Sequence, residues 1–238
     1  TASLKESVGD NLVQRSENYF LTDFLTASSG GSGVYTYLAV ISKDAFGYEN
    51  IASKNLGDRV QVRAFHLAGG LLVLELVAAG PGDAACCPSR KLQQSYRLDG
   101  DRLALEASTD KGPISPADLE QTAWRLTHLA RQQPLAPGLE ISARFRDGKL
   151  SGSAGCNRYG ADLHPGDSPQ ALTLGPVIAT RKLCQDPQMA AEDRFLAALE
   201  QTTGFRFRLG QLALDYRDGQ QGSPDQLLFD PVAQEDAP

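Results

Sequence analysis

The residues of this chain whose types and spacing suggest chemistry are its four cysteines. Cys86 and Cys87 are adjacent, whereas Cys156 and Cys184 stand alone. Four cysteines allow three complete pairings, and the sequence does not choose among them. Cys86 and Cys87 are a candidate vicinal disulfide, with two free thiols or pairing to another cysteine as the alternatives. An even cysteine count in a β-rich chain indicates an oxidising compartment, so we expect a periplasmic or extracellular protein.

Metal binding and nucleophilic catalysis are the other uses of cysteine. The chain has no C-x-x-C pair, and His66, His128 and His164 do not stand near a cysteine with the spacing of a zinc site. A cysteine-dependent hydrolase would combine Cys86 or Cys184 with His128 or His164, but no recognised catalytic signature surrounds any of them. We therefore predict no metal, no cofactor and no catalytic residue.

Composition excludes two further classes of protein. The 238 residues include 23 Lys and Arg against 29 Asp and Glu, which gives a net charge of −6. A general nucleic-acid-binding protein needs a positive surface that displaces counterions from phosphates, so we expect no nucleic-acid partner. The longest apolar run, Leu71–Val77, is interrupted by Glu75 and is far shorter than the ~20 residues that cross a bilayer. We expect no transmembrane span.

Alternating hydrophobicity and turn residues predict mostly strands in two units. Residues 59–67 alternate, and Gly69-Gly70 connects them to the apolar return strand Leu71–Val77. Residues 139–146 also alternate, with Leu139, Ile141, Ala143 and Phe145 on the inward side, before an Asp147-Gly148 hairpin turn. Gly112-Pro113 is the best boundary, which predicts a β-rich N-terminal domain over 1–112 and a second domain over 113–238.

One helix is predicted between Asp186 and Thr203, with Asp186 as its cap and Gly204 as its stop. Its apolar face carries Phe195 and Leu199, whereas Glu192 is assigned to the exposed face. Strands before and after a single helix, joined by hairpins, predict an antiparallel α+β fold. In this prediction both units are mainly antiparallel, and the C-terminal unit is a β meander or open barrel packed on the helix.

The C-terminal unit also carries four short segments in a fixed order. They are Trp124-Arg125-Leu126, Gly155-Cys156-Asn157-Arg158-Tyr159, Thr180-Arg181-Lys182-Leu183-Cys184 and Glu192-Asp193-Arg194-Phe195-Leu196. In this order and spacing they resemble the META domain (HslJ-like) over about Pro116 to Val232. The resemblance implies a META-type meander or open barrel and an association with the bacterial envelope and stress response.

The resemblance also implies roles for individual residues. A disulfide between Cys156 and Cys184 would close a loop of about 29 residues, worth roughly 3.5 kcal/mol in the chain-entropy model. The alternative is two reduced, buried thiols. Asn157 and Arg158, with Thr180 and Arg181, form a candidate motif that we expect to occupy turns and the surface and not to bind a ligand.

The N-terminal unit is similar to uncharacterised secreted or lipid-anchored bacterial proteins. The similarity lies in the glycine-rich run at 30–33, in Leu56-Gly57-Asp58-Arg59-Val60 and in Cys86-Cys87-Pro88-Ser89. It implies no activity that can be transferred to this chain.

Together these observations predict a non-catalytic extracytoplasmic bacterial protein, from the envelope or secreted, with a binding, structural or stress-response role. The alternatives are a carrier of lipids or other small ligands and, less favoured, a cysteine-dependent hydrolase. The expected partner is an unknown protein, a lipid or cell-wall material, and a lipid anchor attached upstream of Thr1 would place the protein at a membrane.

Overall fold

A computed structural model describes residues 13–15, 18–28, 33–44, 47–84, 86–120, 122–217 and 222–232. The glycine-rich run used in the N-terminal similarity lies outside the described residues except for Gly33. Contacts between residues divide the chain into two units, Thr1–Pro113 and Ile114–Pro238. None of the helices described is both long enough and apolar enough to span a bilayer.

The N-terminal unit consists of two four-stranded antiparallel sheets in which each strand pairs with the next along the chain. The first sheet contains β1 (Val13–Arg15), β2 (Asn18–Ser28), β3 (Val34–Asp44) and β4 (Gly47–Asp58). The second contains β5 (Gln61–Ala68), β6 (Leu71–Ala78), β7 (Arg90–Asp99) and β8 (Arg102–Pro113). The hairpin predicted around Gly69-Gly70 is confirmed as β5–β6, where both glycines have positive φ.

The C-terminal unit is also built mainly of strands. After a short 3-10 helix (Pro116–Leu119), its strands are β9 (Ala123–Ala130), β10 (Gln133–Pro134), β11 (Ser142–Arg146), β12 (Lys149–Ser153), β13 (Arg158–Pro165), β14 (Leu172–Leu174) and β15 (Ile178–Ala179). Helix α1 (Asp186–Glu200) precedes β16 (Thr202–Arg208), β17 (Gln211–Arg217) and β18 (Pro224–Val232).

These strands form one sheet that curls until its two ends meet. Neighbouring strands pair in the order β14-β13-β12-β11-β9-β18-β17-β16. The short strands β10 and β15 lie off this path, where β10 pairs with β9 and β15 pairs with β13. At the seam, Ala171 forms an isolated antiparallel bridge with Gly204, and the Phe205 N–H donates to the Gln170 carbonyl at 2.9 Å. The C-terminal unit is therefore a nearly closed β-barrel.

The prediction of an α+β fold is wrong, because the described structure is mostly β and α1 is its one α-helix. Alternation along a strand shows which face is buried, but the same pattern fits an open sheet on a helix and a sheet closed on itself. Whether the two edges meet depends on register and twist accumulated over eight strands, which no single segment encodes.

The seam requires a glycine. A Cβ built on Gly204 would lie 2.8 Å from the Gln170 carbonyl oxygen, closer than real Cβ contacts come. Because glycine has no Cβ, the backbone of β16 can approach the segment before β14 closely enough for the seam hydrogen bond.

The barrel interior is filled by side chains from the inward faces of the strands. Ile141, Ala143 and Phe145 are each no more than 1% exposed, as their alternation predicts. The Asp147-Gly148 turn is confirmed, since both residues have positive φ and join β11 to β12. Four aromatic pairs lie in the core, with ring centroids 5.2 to 6.4 Å apart: Tyr159–Phe195 and Phe195–Phe229 join helix α1 to strands, Phe205–Phe207 lies along β16, and Trp124–Phe207 joins β9 to β16.

Helix α1 is shorter than the sequence predicts. It ends at Glu200 because Thr202 to Gly204 pair with β17 and belong to β16. Gln185, not Asp186, occupies the N-cap position. The helix buries Phe195 and Leu199 as predicted, together with Ala191, Glu192 and Ala198.

Candidate functional site

Three of the four C-terminal sequence segments meet at one place, the turn between β12 and β13. Gly155 has φ of 107°, a conformation that glycine adopts without steric cost, and the Ala154 N–H donates to the Asn157 carbonyl at 2.7 Å. This turn carries Cys156 and Asn157 towards the N-terminal part of α1 and the segment that precedes it.

Asn157 uses every hydrogen-bonding position of its side-chain amide. Its Oδ1 accepts from the Thr180 hydroxyl at 2.8 Å and from the Lys182 N–H at 2.7 Å. Its Nδ2 donates to the Lys182 carbonyl at 3.2 Å and to Glu192 Oε1 at 2.7 Å. An amide has two donor hydrogens and two acceptor lone pairs, so this side chain is fully satisfied.

Glu192 holds the same turn from the helix side. Its Oε2 accepts from the backbone N–H of Asn157 at 2.7 Å and of Cys156 at 3.2 Å. Only 3% of Glu192 is exposed, and burial of a carboxylate is costly unless charge-assisted hydrogen bonds compensate it. The three hydrogen bonds from the turn provide that compensation.

Two further links complete the cluster. The Thr180 hydroxyl accepts from the Arg158 N–H at 3.2 Å, and the Thr180 N–H donates to the Arg158 carbonyl at 3.0 Å. Cys156 and Cys184 form a disulfide with their Cα atoms 6.0 Å apart. We call the side chains of Asn157, Thr180 and Glu192 with this disulfide the polar lock.

The polar lock explains what the polar residues of the sequence segments do. Its amide, carboxylate and hydroxyl groups are directed at one another and at backbone groups, which fixes residues 180–184 against the turn and the helix. The sequence prediction that Asn157 lies at the surface is wrong, because only 2% of it is exposed. Arg158, Thr180 and Arg181 are exposed as that prediction states.

Glu192 is a member of the site that the sequence pattern did not predict. The assignment to the exposed face is wrong, because Glu192 lies with Phe195 and Leu199 at positions i, i+3 and i+7 of one helix face, and all three are buried. That spacing was a usable signal, but a carboxylate on an apolar face cannot be recognised as buried until its hydrogen-bond donors are known.

Next to the polar lock, three cations and two apolar side chains are exposed to solvent. Arg158 is exposed on β13, and Arg181 and Lys182 are exposed beside the disulfide. Ile178 is 75% exposed and Leu183 is 94% exposed. We call these five residues the basic–apolar patch.

The vicinal cysteines of the N-terminal unit form a disulfide between two exposed residues, Cys86 and Cys87. Asp83 organises the loop beside them by accepting from the Gly80 N–H at 2.7 Å and from the Ser89 N–H and hydroxyl at 2.8 Å each. Hydrogen bonds from Gly80 and Ser89 lower the pKa of the Asp83 carboxyl.

The histidines lie apart from any cluster of ligands. Within the described residues, no three His, Cys, Asp or Glu side chains converge in a way that could hold a metal ion. His128 Nδ1 is 3.0 Å from the neighbouring Thr127 hydroxyl. His164 is the penultimate residue of β13, and the pKa of the nearby Asp162 carboxyl is lowered mainly by its 2.8 Å hydrogen bond to Lys149.

The turn between β12 and β13, Glu192 and the Cys156–Cys184 disulfide all lie inside a segment that matches a family model. Residues 117–224 match the family model of the META domain. The C-terminal half of the chain therefore carries a META domain, as the sequence resemblance predicts. All members of the polar lock belong to the META domain.

Comparison with solved structures finds the NMR structure of a protein from Burkholderia xenovorans. It is 28% identical, with 54% of this chain and 96% of that chain covered, and its TM-score is 0.39. No curated protein matches the chain.

Proposed function

We propose that this protein is a non-catalytic bacterial binding protein of the envelope or the extracellular space. Its META domain is consistent with a role in the envelope or in the stress response. The observation that carries the proposal is the state of its reactive groups. All four cysteines are paired, and the polar groups of the lock bind one another and the backbone.

This pairing argues against cysteine chemistry. The thiolate is the nucleophile in a cysteine-dependent hydrolase, and a cysteine in a disulfide has none to offer. The Asn157 amide has no hydrogen-bonding position left for a substrate. What these residues supply is a rigid surface.

The filling of the barrel also favours surface binding over the alternative of an internal carrier. Phe195 packs between Tyr159 and Phe229, and each of the three rings is at most 4% exposed. An internal lipid would have to displace these rings from contacts that stabilise the core. We therefore propose that the partner, a protein, a lipid or cell-wall material, is bound on the outside.

Counting the free thiols of the protein produced from its full native gene tests this proposal. The bacterium is fractionated without reductant, and the protein in each fraction is denatured, alkylated with iodoacetamide and weighed by mass spectrometry. We expect unalkylated protein outside the cytoplasm, and a peptide map that joins Cys156 to Cys184. Cytoplasmic protein with free thiols, or rapid alkylation of Cys86 or Cys184 in the native protein, would overturn the proposal.

A further inference from the structure

The geometry points to the basic–apolar patch as a docking surface for an anionic lipid bilayer. This inference rests on the proposed non-catalytic binding role and names its partner. Leu183 is the most exposed of the large apolar side chains that the structure describes, and Ile178 is the next. Two such apolar side chains can enter the boundary between headgroups and acyl chains, and the three cations can contact negatively charged headgroups.

Leu183 is presented on a backbone that is fixed on both sides. The Lys182 N–H and carbonyl are both bonded to the Asn157 side chain, and Cys184 is bonded to Cys156. The leucine therefore projects into water from an ordered segment. Because that segment is already ordered, docking would cost little further conformational entropy.

Ile178 and Arg158 share the outer face of the barrel next to this segment. Ile178 pairs with Gly160 across the β13–β15 ladder, and the neighbouring Tyr159 and Ala161 are buried on the opposite face. Side chains directly opposite each other in a ladder point to the same face, so Ile178 lies on the face that Arg158 occupies.

The charges of the patch are available to a partner. Within the described residues, no carboxylate forms an ion pair with Arg158, Arg181 or Lys182. On the Arg158 face of β13, Asp162 is held by Lys149 at 2.8 Å. Asp186 is an exposed carboxylate two positions after Cys184, at the start of α1. The net charge of the patch is therefore positive, whereas the whole chain has a net charge of −6. Because of this difference, attraction to an anionic surface would also orient the protein.

A bilayer fits these observations better than an acidic protein does. Protruding apolar side chains need a complementary pocket on a protein partner, whereas the interfacial region of a bilayer accepts them without one. Cations at the edge of the same patch would lie at the level of the lipid headgroups.

Vesicle flotation with the full, oxidised chain tests the inference. Vesicles of phosphatidylcholine alone are compared with vesicles that contain equal parts of phosphatidylcholine and phosphatidylglycerol. We expect binding to the anionic vesicles, weakened at least about tenfold when salt rises from about 50 to about 300 mM, and little binding to the neutral ones. Equal binding to both, or binding to neither, would overturn the inference.

Paired variants separate the patch from total charge. The double variant R181E/K182E should weaken binding at least about 20-fold, since each cation near an anionic bilayer contributes roughly a fivefold factor. K54E/R102E changes the net charge equally at exposed positions of the N-terminal unit and should weaken binding less than about threefold. Similar losses in both double variants would overturn the inference.

A second pair of variants tests the contribution of the apolar side chains to vesicle binding. L183S should reduce binding about five- to tenfold, because it removes an apolar side chain from the interface. L105S replaces a leucine that is 48% exposed in the N-terminal unit and should leave binding unchanged. Unchanged binding of L183S would overturn the inference. Fluorescence of Trp124, the chain's only tryptophan, checks that each variant of the C-terminal unit is folded.

A binding experiment with poly-glutamate beads tests whether the patch binds an acidic protein and not a bilayer. Retention on poly-glutamate beads that R181E/K182E abolishes, without flotation on anionic vesicles, would assign the patch to an acidic protein and overturn the lipid inference. The free-thiol count on the native protein does not depend on lipid binding. Failure of the proposed function would therefore be detected separately from failure of the lipid inference.

Discussion

The carboxylate of Glu192 and the side-chain amide of Asn157 are joined by a 2.7 Å hydrogen bond across 35 positions of sequence, with both residues almost completely buried. The bond ties helix α1 to the turn between β12 and β13. Through Asn157 it also helps to fix Lys182, in the segment that carries Arg181, Lys182 and Leu183 of the basic–apolar patch.

Asn157→Asp should destabilise the C-terminal unit by about 2–4 kcal/mol. The substitution removes both Nδ2 donors and brings a second carboxylate against Glu192. Urea unfolding followed by the fluorescence of buried Trp124 measures the effect, and N55D, at an exposed asparagine, is the control.

A second substitution tests whether the repulsion is specific. N157D/E192Q should be more stable than N157D by about 1 kcal/mol or more, because a glutamine at 192 can donate to the new carboxylate. If the losses of N157D and E192Q simply add, the direct contact is not the source of the stability.

Removal of the Cys156–Cys184 disulfide by C156A/C184A should lower the free energy of unfolding of the C-terminal unit by roughly 3.5 kcal/mol. The bond spans 28 positions, and its absence enlarges the ensemble of the unfolded chain. C86A/C87A, measured in the same way, should leave the Trp124 transition unchanged. An equal shift in both double variants would contradict this explanation.

Gly204→Ala should destabilise the barrel by about 1–3 kcal/mol, because the new methyl group meets the Gln170 carbonyl at the seam. Gly160→Ala is the matched control, since a Cβ there comes only within 3.7 Å of the Leu150 carbonyl oxygen. We expect its unfolding free energy to stay within about 0.5 kcal/mol of the unchanged protein. Amide exchange at Phe205, whose N–H bonds across the seam, should rise in G204A alone.

Alkaline pH should weaken the C-terminal unit through Tyr159. Burial raises the pKa of its phenol above the ordinary value of 10.0, so the folded state retains a proton that the unfolded chain releases. The stability linked to this proton is complete below about pH 10 and falls by about 1.4 kcal/mol per pH unit above it.

Tyr159→Phe isolates that contribution. The variant loses the 2.9 Å hydrogen bond to the Ser142 carbonyl at every pH, but it has no proton to release. The stability advantage of the unchanged protein over Y159F should therefore shrink by about 1.4 kcal/mol between about pH 9 and pH 11. Urea unfolding at the two pH values measures it, and a constant difference would contradict the assignment.

The sequence by itself determined the local features of this protein. The alternation around Ile141 and Phe145, the Asp147-Gly148 turn and the apolar face around Phe195 all follow from neighbouring residues, because strand and helix periods and glycine's freedom at positive φ are local properties. The order of the C-terminal segments also indicated the META domain.

Tertiary structure alone decided the closure of the barrel and the burial of Asn157 and Glu192. The seam between Gln170 and Phe205 depends on the combined twist and register of eight strands, whereas the sequence pattern predicted an open α+β arrangement. The sequence predicted a surface turn for Asn157 and the exposed helix face for Glu192, and either residue buried alone would be costly. Each becomes favourable inside only because the fold brings its hydrogen-bond partners to it, and each is one partner of the other.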